Sequence, residues 1–303
     1  LFKIIERMLY GFGFGLGMST AFSFFPKIEN MTPEEYEDYK KKIETDGFVI
    51  IPNIIPTEEI ETVYEAIFLL LQKYAPERAK KCQGEKPWFD LKFHEELGAL
   101  RESEPKKFSK LYDSLQTHSI VQKMGISKNI LKIASKLLEK PNEPFSWVNL
   151  SNTPPLFRMD EPKKNSNLVD WHQERVSYDQ NEDGSNGLIV WIPLQDVDTK
   201  TGTLDVCVSS HKEGFIEPTH SGTYGNVQST KKFLSEDIAK KFKQLSVEMK
   251  AGDALFVSML VIHKSGSMDN TNKFRLTLTT RIHNTYSKDF VPGRIRFIKS
   301  TYT

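Results

Sequence analysis

The sequence has little cysteine and almost no net charge. Its 303 residues include two cysteines, Cys82 and Cys207, which lie far apart and lack C-x-x-C spacing. This count argues against a disulfide framework and against a zinc site built on thiolates, and it favours a reducing compartment. We therefore expect a cytoplasmic protein, with targeting left open because the chain begins at Leu1.

The charge balance excludes two classes of partner. The 41 basic and 40 acidic residues leave a formal net charge of +1. No large basic field indicates nucleic acid, and no acidic tract indicates a solvating tail. Internal repeats and low-complexity tracts are also missing, which argues against a solenoid or a disordered region. A small molecule is the expected partner.

Long hydrophobic runs are represented by one segment, residues 8–25, which carries no charge. Its length reaches that of a membrane span, but glycines at alternate positions from 11 to 17 dilute its hydrophobicity. We therefore expect residues 1–30 to form a glycine-rich arm rather than a membrane helix. Such an arm packs against its own domain or against a neighbouring subunit of a homo-oligomer, and both alternatives stay open.

The part of the chain from about 31 to 140 is predicted to be mostly helical. Thr32, Pro33 and Glu35 form a helix-start signal before a helical stretch that reaches Ile43. A short β-branched strand follows the turn at Asp46-Gly47, and a second helix begins at Thr57. Two further helices are predicted over Phe108–Leu115 and Ile126–Leu138.

From about 141 to 290 the pattern becomes extended. Short apolar runs, among them GLIVWIPL, GTLDVCV and ALFVSMLVIH, are separated by Asn, Gly, Asp and Pro. This spacing predicts a sandwich or a jelly roll, with one helical insertion at Ser235–Leu245. The fold class is therefore mainly β with flanking helices, and we expect residues 31–303 to form one domain.

Histidine and carboxylate residues supply a candidate metal site. His172 and Glu174 in the segment DWHQERVSY share one face of a strand of period two. That pair alone also fits an ordinary polar sheet face. His263 ends the apolar run ALFVSMLVIH, where a buried polar side chain costs free energy unless it has a partner. Two histidines and one carboxylate are the facial triad typical of non-haem Fe(II) oxygenases.

A second candidate group lies on the strand that follows His263. Arg275, Thr277, Thr279, Arg281 and His283 alternate with apolar residues, so one face of this strand is polar. In a jelly roll covered by helices, that face lines the internal cavity. Arg275 would there bind the carboxylate of a dicarboxylate cosubstrate, or form a salt bridge to a protein carboxylate.

These residues resemble the phytanoyl-CoA dioxygenase-like family of Fe(II)/2-oxoglutarate-dependent oxygenases. The resemblance covers most of the chain, from DGFVIIPNIIPTEEIETV through LFRMDEP, DWHQE, GLIVWIPLQDVDTKTGTLDV, SSHKEGF and GDALFV to HKSGSMDNTNKFRLTLTTRI. It implies a double-stranded β-helix (jelly-roll, cupin-like) core, and Fe(II), 2-oxoglutarate and O2 as cofactors. It also implies that His172, Glu174 and His263 bind iron. Arg275 would bind the distal carboxylate of 2-oxoglutarate, with Ser265, Trp191 and Arg158 beside it.

Three features depart from the family pattern. Glu174 stands where aspartate is usual, and its presence disfavours the halogenase variant, which lacks a carboxylate ligand. The motif that usually reads P-G-S-H is here Ser209-Ser210-His211, so the turn lacks its proline and glycine, and we expect His211 to be structural or to face the cavity rim. The glycine-rich arm has no counterpart.

The reaction implied is oxidation of a C–H bond of a small molecule, by default hydroxylation, with desaturation or ring closure as alternatives, in a biosynthetic pathway. Polar residues around the predicted site favour a polar or anionic substrate, and the candidates for contact are Asn149, Asn152, Arg175, Tyr178, Arg281 and His283. Two other functions stay open. One is a non-catalytic jelly-roll binding module, and the other is a cupin metalloenzyme that does not use 2-oxoglutarate.

Overall fold

The computed structural model describes residues 31–140, 146–163, 168–177, 184–224, 227–268 and 271–292, with backbone alone in 222–224 and 227–231. The arm at residues 1–30 and Tyr178 lie outside this description. Within the described ranges, no helix has both the length and the hydrophobicity needed to cross a membrane.

Seven helices occupy the first described range, and an eighth follows β7. The capping box predicted at Thr32 is confirmed: the Thr32 hydroxyl accepts from the Glu35 amide at 3.2 Å, and the Glu35 carboxylate accepts from the Thr32 amide at 3.0 Å. The first helix ends at Gly47, whose φ of +88° suits glycine. The helices are α1 (Pro33–Asp46), α2 (Thr57–Tyr74), α3 (Pro76–Ala79), α4 (Leu91–Ser103), α5 (Pro105–Gln116), α6 (Ser119–Gly125), α7 (Lys128–Leu138) and α8 (Glu236–Ala239).

The strands form antiparallel sheets. They are β1 (Phe48–Ile51), β2 (Leu150–Asn152), β3 (Leu156–Asp160), β4 (Gly187–Pro193), β5 (Leu204–Cys207), β6 (His220–Tyr224), β7 (Val227–Phe233), β8 (Gln244–Val247), β9 (Ala254–Ser258), β10 (His263–Ser265) and β11 (Arg275–Asn284). The large sheet has the order β1-β9-β4-β11-β2, with β3 also paired to β11. A smaller sheet has the order β10-β5-β8, and β6 pairs with β7.

Alternating residues of the large sheet pack in two directions. On β4, Leu188, Val190 and Ile192 pack in the core that also contains the helices. Ile189 and Trp191 pack with residues of the smaller sheet. The large sheet is therefore covered by helices on one face and by the small sheet on the other, which confirms the mainly β architecture with flanking helices.

Two local predictions are wrong. The segment around His172 and Glu174 is not a strand, because Glu174–Val176 form a 3-10 turn after a single bridge at His172. The helix expected at Ser235–Leu245 extends only over Glu236–Ala239, and Gln244 begins β8. Pairing with β5 supplies hydrogen bonds to this second stretch, and these override its local helical preference.

Candidate metal centre

An antiparallel bridge places His172 beside His263. The amide of each residue donates to the carbonyl of the other at 3.0 Å. His263 begins β10, which is paired to β5, so the bridge fixes His172 against the small sheet. The two imidazole centroids are 4.2 Å apart, and both side chains are buried.

Backbone carbonyls determine which nitrogen of each imidazole carries the proton. Nδ1 of His172 is 2.7 Å from the Asp170 carbonyl oxygen, and Nδ1 of His263 is 2.9 Å from that of Val261. A carbonyl oxygen only accepts hydrogen bonds, so Nδ1 is the protonated nitrogen in both rings. Both Nε2 atoms therefore present lone pairs, which is the form that binds metal ions.

Glu174 completes a cluster of three acceptors. Its Oε2 lies 3.2 Å from Nε2 of His172 and 3.7 Å from Nε2 of His263. One ligand atom from each of the three residues lies within 4.8 Å of the others. With both imidazoles neutral, neither Nε2 carries a hydrogen to donate to the carboxylate, and a cation between the three atoms then satisfies all three.

The other oxygen of Glu174 is bound by Arg281. Oε1 accepts from Nε of Arg281 at 2.8 Å and lies 2.5 Å from Nη2. Burial alone would raise the pKa of Glu174, but the Arg281 guanidinium and the two neighbouring imidazoles together outweigh it and hold the pKa well below its usual range. The carboxylate is therefore ionised, as a metal ligand must be.

Arg275 binds a protein carboxylate, Asp160. Its Nη2 and Nε donate to Oδ2 of Asp160 at 2.8 and 3.3 Å, and its Nη1 donates to the Thr203 carbonyl at 3.0 Å. Oδ1 of Asp160 accepts from Nη2 of Arg158 at 2.7 Å. Burial would raise the pKa of Asp160, but the two guanidinium groups outweigh it and lower that pKa. Asp160 thus holds two arginines with one negative charge.

One partly open cavity, of about 60 Å³, joins these groups. Eight of the residues predicted for the site line it: His172, Glu174, His263, Arg275, Ser265, Trp191, Arg158 and Arg281. Three arginines and two carboxylates line this cavity, so one positive charge is in excess.

Four substrate candidates do not line this cavity. Asn149 accepts from Thr285 through its backbone, Asn152 is exposed, and the Arg175 guanidinium lies 5.8 Å from the centroid of the Phe215 ring. His283 is buried further along β11, and burial lowers its pKa to about 4. His211 lies elsewhere, with Nε2 3.0 Å from the Glu44 carbonyl oxygen.

Sequence reasoning missed Asp160 and Thr203. Asp160 follows Arg158 by two residues in the segment LFRMDEP, so a period-two pattern would have placed both side chains on one face of β3. Thr203 contributes a backbone carbonyl, which no side-chain pattern indicates. Gly202 precedes it with a φ of +90°, and a Cβ there would lie 2.8 Å from Nη1 of Arg275. Glycine thus lets the backbone approach the guanidinium closely.

Comparisons with solved structures show a shared fold at low sequence identity. The non-heme monooxygenase ThoJ in its apo form is 17% identical, with 82% of this chain and 77% of that chain covered at a TM-score of 0.52. AviO1 from Streptomyces viridochromogenes Tue57 is 13% identical, covering 87% and 100% at 0.51. EvdO2 from Micromonospora carbonacea var. aurantiaca, solved with 2-oxoglutarate, is 13% identical, covering 81% and 90% at 0.51.

A comparison with curated proteins finds no match. The family model described as phytanoyl-CoA dioxygenase (PhyH) matches residues 43–276, which contain β1, the metal cluster and Arg275. This match confirms the resemblance read from the sequence motifs, and the fold supports it. The chain belongs to the phytanoyl-CoA dioxygenase (PhyH) family.

Proposed function

We propose that this protein is an Fe(II)- and 2-oxoglutarate-dependent dioxygenase that oxidises a C–H bond of a small molecule. The observation that carries the proposal is the convergence of two imidazole lone pairs and one carboxylate oxygen from three buried residues. His172, Glu174 and His263 would hold the iron as a facial triad, which leaves the remaining coordination positions open.

The chemistry of the bound iron is the decarboxylation of 2-oxoglutarate by O2 to succinate and CO2, coupled to oxidation of the substrate. The protein residues hold the reactants in place and exclude water. The three proposed ligands are at most 7% exposed, so water has little access to the reacting atoms. Hydroxylation is the default outcome, and desaturation or ring closure requires that the substrate be held away from hydroxyl transfer.

Arg275 is the proposed partner of the distal carboxylate of 2-oxoglutarate. The excess positive charge of the cavity suits one further carboxylate, and guanidinium binds carboxylates in a planar two-point geometry. Arg158, Ser265 and Trp191 line the same cavity and are proposed to contact the cosubstrate. The same charge favours a polar or anionic substrate.

Action in a biosynthetic pathway and assembly through the N-terminal arm remain proposals from the sequence.

One observation favours a second function, that of a metalloenzyme that does not use 2-oxoglutarate. Arg275 already has a carboxylate partner in Asp160, so it is neutralised without a cosubstrate. A non-catalytic binding module is less well supported, because such a module has no need for three converging metal-ligand atoms.

Anaerobic addition of Fe(II) and 2-oxoglutarate tests these alternatives. We expect a visible charge-transfer band in the wild type that is lost in His172→Ala and His263→Ala. His211→Ala is the matched control and should keep the band, because His211 lies outside the cavity and contacts the Glu44 carbonyl.

A wild-type protein without the band, or a His172→Ala variant that retains it, would refute the oxygenase proposal. Binding of Fe(II) without the band, together with no effect of Arg275→Ala, would identify a metalloenzyme independent of 2-oxoglutarate. A substrate screen scored by succinate release would then define the reaction.

A further inference from the structure

Arg281, which lines the cavity, is bound to the proposed carboxylate ligand Glu174. Two of its nitrogens contact the same oxygen, Oε1 of Glu174, at 2.8 Å from Nε and 2.5 Å from Nη2. The other oxygen, Oε2, faces the two imidazoles. Arg281 is 8% exposed, so its contact with Glu174 is largely shielded from water.

The backbone on both sides of this contact is fixed. Arg281 lies on β11 opposite Ile189 of β4, in the middle of a strand whose residues are all buried. Glu174 begins a 3-10 turn whose next amide, that of Arg175, donates to the Met259 carbonyl at 3.1 Å. Neither side chain can follow the other by a large backbone shift.

The length of the side chain at position 174 determines whether its carboxylate can contact Arg281 and the two imidazoles at the same time. A glutamate reaches both the guanidinium and the imidazole nitrogens. An aspartate would withdraw the carboxylate by about 1.5 Å, the length of one carbon–carbon bond. It could not keep contacts of 2.5–2.8 Å to Arg281 and also remain 3.2 Å from His172.

We propose that Arg281 is a positioning residue that makes Glu174 a single-oxygen metal ligand, and that glutamate rather than aspartate at position 174 is matched to this arginine. The inference rests on the proposed iron site. By occupying Oε1, Arg281 prevents the carboxylate from chelating the metal through both oxygens. A coordination position that a chelating carboxylate would take thus stays open for cosubstrate or O2.

The test is the Fe(II) affinity of purified protein, measured anaerobically by competition with a coloured chelator, without turnover. Arg281→Met should weaken Fe(II) binding by about 10–100-fold, the usual effect of removing a group that orients a ligand. Arg281→Lys keeps the positive charge but loses the planar guanidinium with its several donors. Its Fe(II) affinity should lie between those of Arg281→Met and the wild type. The lysine variant also serves if the methionine variant does not fold.

Arg78→Met is the matched control. Arg78 donates to the buried Glu96 at 3.1 Å, in an arginine–glutamate pair on the helical side of the protein. Its loss should lower the melting temperature and leave Fe(II) affinity unchanged. This separates a general loss of stability from a loss of ligand positioning.

A double-mutant cycle tests the match between the two residues. In Glu174→Asp the contact with Arg281 is already broken, so adding Arg281→Met should change Fe(II) affinity by less than about twofold, the usual error of additivity. An equal loss in both backgrounds, or wild-type affinity in Arg281→Met, would overturn the inference. If the wild type binds no Fe(II), or His172→Ala binds it normally, the proposed function itself fails.

Discussion

The proposed role of Arg275 predicts that Asp160 competes with the cosubstrate for its guanidinium, and replacing Asp160 with asparagine tests this. In the structure one carboxylate, 2% exposed, serves two arginines, Arg158 through Oδ1 and Arg275 through Oδ2. Asparagine keeps one acceptor oxygen but turns an amide donor toward the other guanidinium. Removal of one partner from a buried ion pair costs about 3–5 kcal/mol. At about 2–4 °C per kcal/mol, the melting temperature of Asp160→Asn should fall by roughly 6–20 °C.

The same substitution should strengthen the binding of 2-oxoglutarate. The distal carboxylate of 2-oxoglutarate would replace the negative partner that Arg275 loses in Asp160→Asn. Part of the lost stability should therefore return when 2-oxoglutarate binds. A coupling of about 1–3 kcal/mol corresponds to a Kd that is lower by roughly 5–150-fold.

Calorimetric titration with 2-oxoglutarate in the presence of Fe(II), and melting curves with and without both, measure the two effects. Asp253→Asn is the matched control, because the buried Asp253 accepts from the Asn53 and Lys250 backbone amides and does not line the cavity. It should lower the melting temperature without changing the Kd. Weaker binding by Asp160→Asn would refute competition and show that Asp160 orients Arg275 for the cosubstrate.

Two further substitutions have defined outcomes. Gly202→Ala places a Cβ 2.8 Å from Nη1 of Arg275 at a φ of +90°, so the KM for 2-oxoglutarate should rise while Fe(II) affinity is kept; an unchanged KM would contradict this. Burial lowers the pKa of His94 to about 4, and its Nδ1 accepts from the Phe274 amide. Since the unfolded pKa is higher, stability is complete above about pH 6.5 and falls by about 3 kcal/mol toward pH 4. His94→Asn should remove this part of the acid dependence in urea unfolding at several pH values, and an unaltered dependence would exclude His94 as its source.

Local patterns in the sequence predicted much of the fold. Thr32 and Glu35 formed the expected capping box because both partners lie within one helical turn. The alternation along β11 correctly predicted a polar inner face, since Arg275, Thr279 and Arg281 line the cavity. Period two is a local property of the backbone, and it holds wherever the strand forms.

The approach of His172 to Glu174 was expected for a reason that the structure contradicts. The two residues do not share a strand face. Glu174 begins a 3-10 turn, and its side chain reaches His172 from that turn. The bridge to His263 and the contact with Arg281 hold this turn, and both depend on segments about a hundred residues away. No local pattern contains those partners, and the same is true of the contact between Asp160 and Arg275.

The two arginines of β11 show why residue type alone could not assign their roles. They lie on the same strand face, six residues apart, which at roughly 3.3 Å per residue is about 20 Å along the strand. Arg281 meets a carboxylate 107 residues earlier in the chain, and Arg275 meets one 115 residues earlier. Glu174, the partner of Arg281, belongs to the metal cluster, whereas Asp160, the partner of Arg275, does not. One end of the strand is therefore proposed to support metal binding and the other end to support cosubstrate binding. Because the two guanidinium groups pair with different carboxylates, we expect that metal binding and cosubstrate binding can be altered separately by substitutions on a single strand.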